Sequence, residues 1–141
     1  MSSTTATFGS AYANGTNYVA YCFAEVEGYS KFGKYTGNGN ADGPFIYTGF
    51  APAMVILKSS SNSNGWIIMD RQRDSYNLAY KVLRPDTNAV ENTNAFFIDF
   101  LSNGFKVRDA GGQNISGWTN IWAAFAENPF GGSGVSPATA R

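Results

Sequence analysis

The sequence contains no histidine. That absence removes Ser-His-Asp and Cys-His catalysis, histidine general bases and histidine metal sites together. Cysteine occurs once, at Cys22. One thiol forms no internal disulfide and no thiolate zinc site. Charge is scarce: 14% of residues are charged, and 10 basic side chains balance 10 acidic ones. A neutral chain lacks the basic surface that nucleic-acid affinity needs, so no nucleic-acid partner is expected. No apolar run approaches the roughly 18 residues a bilayer-spanning helix requires, so no membrane partner is expected either. Met1-Ser2-Ser3-Thr4-Thr5 carries neither the basic start nor the apolar stretch of a signal segment.

Aromatics and glycine are abundant instead. There are 11 Phe, 8 Tyr, 3 Trp and 16 Gly in 141 residues. A chain of this length is one domain, or one domain and an arm, and buries a core without staples. Its aromatic and β-branched runs are short and cut by Gly, Asn and Ser. That pattern reads as many short strands and tight turns, so the fold is expected to be all-β.

Seven stretches read as strands: 18–24, 44–50, 54–58, 66–70, 96–101, 105–108 and 118–126. Residues 32–43 are turn-rich, 59–65 and 109–117 are polar loops, and 71–94 are polar and irregular. Seven or eight strands at this spacing predict a two-sheet antiparallel β-sandwich of jelly-roll, concanavalin-like type. An extended N-terminal strand or arm over 1–31 precedes a module over 32–130, and a Gly/Ser/Pro-rich tail over 131–141 follows it.

The chain carries an internal echo. Val19-Ala20-Tyr21-Cys22-Phe23-Ala24-Glu25 aligns without a gap on Ile121-Trp122-Ala123-Ala124-Phe125-Ala126-Glu127, with Phe-Ala-Glu identical. Asn17–Glu25, Gly28-Tyr29-Ser30-Lys31-Phe32-Gly33, Tyr35–Gly39 and Asp42–Phe45 follow one another at the N-terminal end. Thr48–Pro52, Val55–Lys58, Trp66–Asp70 with Arg73, Asp99–Lys106 and Ala124–Phe130 complete the series. Together these stretches resemble a repeated module of bacteriophage tail-fibre and other virion structural proteins. The resemblance implies a virion or extracellular setting and tandem modules, in which one module's last strand runs into the next. It further implies that residues 17–31 are the tail of a preceding module.

An apolar strand without a sheet of its own has two outlets. It folds back on its own sandwich, or it adds to a neighbour's sheet. The second contact is heterologous and, where it does not close, makes a filament. The assembly strand is expected at Tyr18, Val19, Ala20, Tyr21, Cys22 and Phe23, with Phe8 and Tyr12 as further anchors. The partner is then the chain itself, in a homo-oligomer or filament. Cys22, inside an apolar run, reads as a buried core thiol.

Other constellations are weaker. Asn38–Gly43 has oxygen side chains at alternate positions, as a calcium loop does, but Gly49 stands where a bidentate Glu is needed; a β-turn is expected. Asp70, Arg71, Arg73 and Asp74 read as a salt-bridged cluster at a strand end, or as the acid pair of a polysaccharide depolymerase. Glu25 and Glu27 read as sharing one strand face. Tyr76, Tyr80, Trp66 and Trp118 read as core or as a sugar-stacking platform. Asn14-Gly15-Thr16 and Asn114-Ile115-Ser116 match the N-glycosylation pattern. A receptor- or glycan-binding domain would place its contacts in the loops, at Asn62, Asn64, Tyr76, Tyr80 and Asn114. No cofactor, metal or catalytic residue is expected.

Overall fold

The computed structural model describes Gly9, Gly15 and residues 17–130. The expected anchors Phe8 and Tyr12, the acceptor residues Asn14 and Thr16, and the 131–141 tail lie outside the described residues. The described chain is all-β, with seven strands in two antiparallel sheets. The strands are β1 (Ser30–Thr36), β2 (Phe45–Tyr47), β3 (Pro52–Ser59), β4 (Ile67–Asp70), β5 (Ile98–Leu101), β6 (Gly104–Val107) and β7 (Thr119–Ala126). One sheet has the order β1-β7-β3-β4 and the other β2-β6-β5. No described helix is long and apolar enough to cross a membrane.

Alternation builds the core. Val55 and Leu57 of β3, Ile67 and Met69 of β4, and Trp122, Ala124 and Ala126 of β7 are buried. Ile46, Ile98, Phe100, Phe105 and Val107 of the three-stranded sheet join the same cluster. Phe105 meets Trp122 edge-to-face at 5.8 Å, one ring from each sheet. The outward rows of β3 and β7 are also apolar: Met54, Ile56, Ala123 and Phe125 are half-buried. This is why both segments read as apolar on every position.

The strands expected at 54–58, 66–70, 96–101, 105–108 and 118–126 are present within one or two residues. The strand expected at 44–50 is shorter. Gly49 takes a left-handed φ of 86°, and the Thr48 hydroxyl donates to the Phe50 carbonyl, so the chain turns after Tyr47.

Two expectations are corrected. Residues 17–25 belong to no strand, although 18–24 is the first strong strand pattern. The first strand is Ser30–Thr36, which the glycines had marked as turn. Gly33 is there for space and not for a turn. A Cβ at Gly33 would stand 2.7 Å from Cζ2 of Trp122, so the glycine lets β1 lie against the indole. β1 also crosses the expected 31/32 boundary, and Ser30 is already paired with Phe125.

The polar stretch 71–94 is held by bridges rather than ladders. Ala79 pairs with Ile98, Val82 with Asn92 and Leu83 with Ile68. The Asn77 amide both donates to and accepts from the Phe100 backbone, each at 2.9 Å.

Candidate functional site

The segment 17–25 leads into a tight turn. Ser30 N–H donates to the Val26 carbonyl at 2.9 Å, and Val26 N–H returns the bond to the Ser30 carbonyl at 3.2 Å. Gly28, with φ 71°, closes the turn. A hairpin begun this way would continue with the Phe32 amide bonding the Ala24 carbonyl. Two side chains take those bonds instead. The Ser30 hydroxyl donates to the Ala24 carbonyl at 3.0 Å, and the Glu25 carboxylate accepts the Phe32 N–H at 3.1 Å. The ladder therefore ends where it starts. This is the physical reason that 18–24 is not a strand here.

The segment is left exposed. Val19 is 79%, Tyr21 83% and Phe23 64% exposed, and Tyr18 and Ala20 are exposed with them. Cys22 is exposed as well, which corrects the expectation of a buried thiol: the run that was to bury it joins no sheet. The expected shared strand face of Glu25 and Glu27 is absent for the same reason, because Glu27 lies in the turn. Phe23 reaches back. Its ring lies 6.0 Å from Phe32 and 6.0 Å from Phe125, on the outward face of the four-stranded sheet. Tyr29 and Phe130 stack at 5.8 Å at the same corner.

Sequence reasoning named the exposed segment but not its surroundings. No local signal marks Ser30 and Glu25 as the groups that end the ladder. The Phe-Ala-Glu echo was the one available signal: it equates Phe23 with Phe125, and the two rings pack together.

The loop candidates divide. Asn114 is fully buried, which corrects its reading as a ligand contact. Its amide nitrogen donates to Asn38 Oδ1 at 3.0 Å, the Asn40 carbonyl at 2.9 Å and the Asp109 carbonyl at 2.6 Å. Its Oδ1 accepts the Asn38 N–H at 3.1 Å. The same burial closes the Asn114-Ile115-Ser116 acceptor pattern to a modifying enzyme in the folded chain. The 38–43 loop is a run of Asx turns. Asn38 Oδ1 accepts the Asn40 N–H, and Asn40 Oδ1 accepts the Asp42 N–H. Asp42 pairs with Lys106 at 2.8 Å; that bond and charge, with Arg108 beside them, hold its carboxyl below the usual range.

Asn62 fixes its own loop, accepting the Asn64 N–H at 2.6 Å, and Asn64 is exposed. Tyr76 is 86% exposed, and with Tyr80 it lines an open groove of about 420 Å³. Trp66 and Trp118 do not line that groove, so the four aromatics form no common platform.

The acidic cluster is ion-paired and hydrogen-bonded. Asp70 accepts the N–H groups of Gln72 and Arg73 on one oxygen and Arg73 Nε, at 2.6 Å, on the other. Arg73 also reaches Glu91 at 2.8 Å. Asp74 is buried and accepts the Tyr80 and Lys81 N–H groups on a single oxygen. Arg71 pairs with Glu127 at 2.9 Å. Among the described residues no three His, Cys, Asp or Glu side chains gather as a metal site would need.

A family model described as Domain of unknown function (DUF7483) matches residues 1–129. No curated protein and no solved structure matches the chain.

Proposed function

The chain belongs to the DUF7483 family, whose description assigns no activity, and from its exposed apolar segment we propose a non-enzymatic structural role. It is a building block of a virion fibre or extracellular filament. Subunits join head-to-tail, the 18–23 segment of one serving as an N-terminal arm that adds as a strand to a neighbour. The body is a jelly-roll, concanavalin-like sandwich. The resemblance to tail-fibre modules supports the virion setting and the tandem logic.

One observation carries the reading. Val19, Tyr21 and Phe23 stand 64–83% exposed in a stretch without a charge. Burying such side chains is worth about 1.5–3 kcal/mol each before ordering costs. The commitment of Asp70 and Asp74 to Arg73 and to backbone amides supports a role without catalysis.

The test compares the full chain with a Val19→Asp/Tyr21→Asp variant by light scattering and negative-stain imaging. Both positions are exposed, so the body is expected to fold in either chain. Large oligomers or filaments from the full chain and monomers from the variant are the expected result. A compact monomer from both overturns the reading.

A second reading, a receptor- or glycan-binding domain, is favoured by Tyr76 over its groove. Tyr76→Ala would then abolish binding to host surface glycan and leave assembly intact.

A further inference from the structure

The edge of β1 turned away from β7 has the geometry of a strand acceptor. Ala126 N–H donates to the Tyr29 carbonyl and Gly37 N–H to the Trp118 carbonyl. By antiparallel alternation, the odd-numbered residues of β1 bond to β7, and residues 32, 34 and 36 turn their peptide groups the other way; Glu25 holds the Phe32 N–H, so the edge on offer runs from the Phe32 carbonyl to Thr36. Among the described residues no strand lies on that side, because β1 ends its sheet.

We propose that this edge of β1 receives Val19–Phe23 of a second copy of the chain. The proposal rests on the strand-mediated assembly above and names its acceptor. Three observations select the occupant. First, β1 already pairs along its other edge with Thr119–Phe125, and Val19–Phe23 aligns with Ile121–Phe125 of that strand without a gap. A strand suited to one edge of β1 resembles the strand that occupies the other. Second, a chain's own segment is held off its own edge. Ser30 Oγ and Glu25 Oε1 take the first two bonds of that pairing. Third, Phe23 packs on Phe32 and Phe125, so the segment leaves its own body at the corner where the acceptor edge begins. Each chain thus has one donor and one acceptor. Reciprocal exchange closes a dimer and successive exchange makes a filament, through the same contact.

The single native thiol makes the contact measurable. Wild-type chain, with Cys22, is mixed with a Cys22→Ser/Lys34→Cys chain under a mild oxidant. A Cys22→Ser/Asn103→Cys chain, with its thiol in the β5–β6 turn, is the control. A mixed disulfide dimer several-fold above the control is expected. Lys34→Pro, which removes an outward N–H and leaves the bonds to β7 in place, is expected to lose assembly and keep its melting temperature within a few degrees. Chains that assemble but cross-link equally at both positions overturn the acceptor and leave strand-mediated assembly standing. Chains that remain monomeric overturn both. A chain carrying Cys22 and Lys34→Cys that forms only an internal disulfide shows its own segment on the edge, and overturns the proposal too.

Discussion

The amide of Phe32 donates to the Glu25 carboxylate at 3.1 Å, at the point where a hairpin ladder would otherwise continue. A side chain seven residues back thus stands in for a strand, and it does so at the edge of a sheet. Glu25→Ala removes the acceptor. An exposed hydrogen bond of this kind is worth about 0.5–1.5 kcal/mol. The Phe32 amide hydrogen is expected to exchange several-fold faster, up to about 10-fold, with the melting temperature nearly unchanged. An unaltered exchange rate in the variant would mean that Glu25 does not protect this amide in solution.

Asn114 ties its own 109–114 loop to the distant 38–40 loop, and both polar atoms of its side chain are used. Asn114→Ala strands the buried partners and is expected to cost about 2–4 kcal/mol in urea unfolding. Asn114→Asp faces a carboxylate toward the oxygens of Asn38, Asn40 and Asp109. Those oxygens raise that carboxyl's pKa in the folded state above its unfolded value. Stability of this variant therefore falls as pH rises from about 4 to 7, and a flat profile would contradict the geometry.

For Asp70, burial pushes the carboxyl upward, but the Arg73 backbone N–H, guanidinium and charge, with the Gln72 N–H, outweigh it and leave the pKa below the usual range. A depressed folded pKa contributes stability above the unfolded value of about 4, and that contribution is lost as pH falls through the folded value. Asp70→Asn is expected to cost about 1–3 kcal/mol at pH 7. The difference from wild type should shrink in unfolding curves taken below about pH 4.

Gly33 and Trp122 are coupled by contact. An added methyl would meet Cζ2 and Cε2 of the indole at 2.7 and 2.9 Å. Gly33→Ala is expected to destabilise by about 1–3 kcal/mol. Trp122→Phe in the same chain should recover part of that loss, so the double-variant cycle is non-additive. Additive costs would place the strain elsewhere.

The strands at 52–59, 67–70, 98–101, 104–107 and 119–126 were legible because aromatic and β-branched runs end at Gly, Asn and Ser. The two errors share one cause. Tyr18–Ala24 has the composition of a strand, and Ser30–Thr36 has the glycines of a turn. Pairing reversed both: Gly33 makes room for Trp122, while Ser30 and Glu25 stop the ladder before Ala24. Asn114 looked like a loop-tip amide because nothing local marks a residue whose partners lie at 38, 40 and 109. Cys22 was misplaced for the converse reason, since an apolar run is buried only if something covers it.

The sequence by itself determined the all-β class, most strand positions, the absence of histidine chemistry and the presence of an apolar stretch near the N-terminus. Those properties follow from composition and from local backbone preference. The tertiary structure alone decided that β1 is an edge strand, that its even-numbered peptide groups face outward, and that Phe23 lies over Phe32 and Phe125. These depend on which strands meet and in what register. Register is set by close contacts and hydrogen bonds between residues far apart in the chain, such as Ser30 with Phe125.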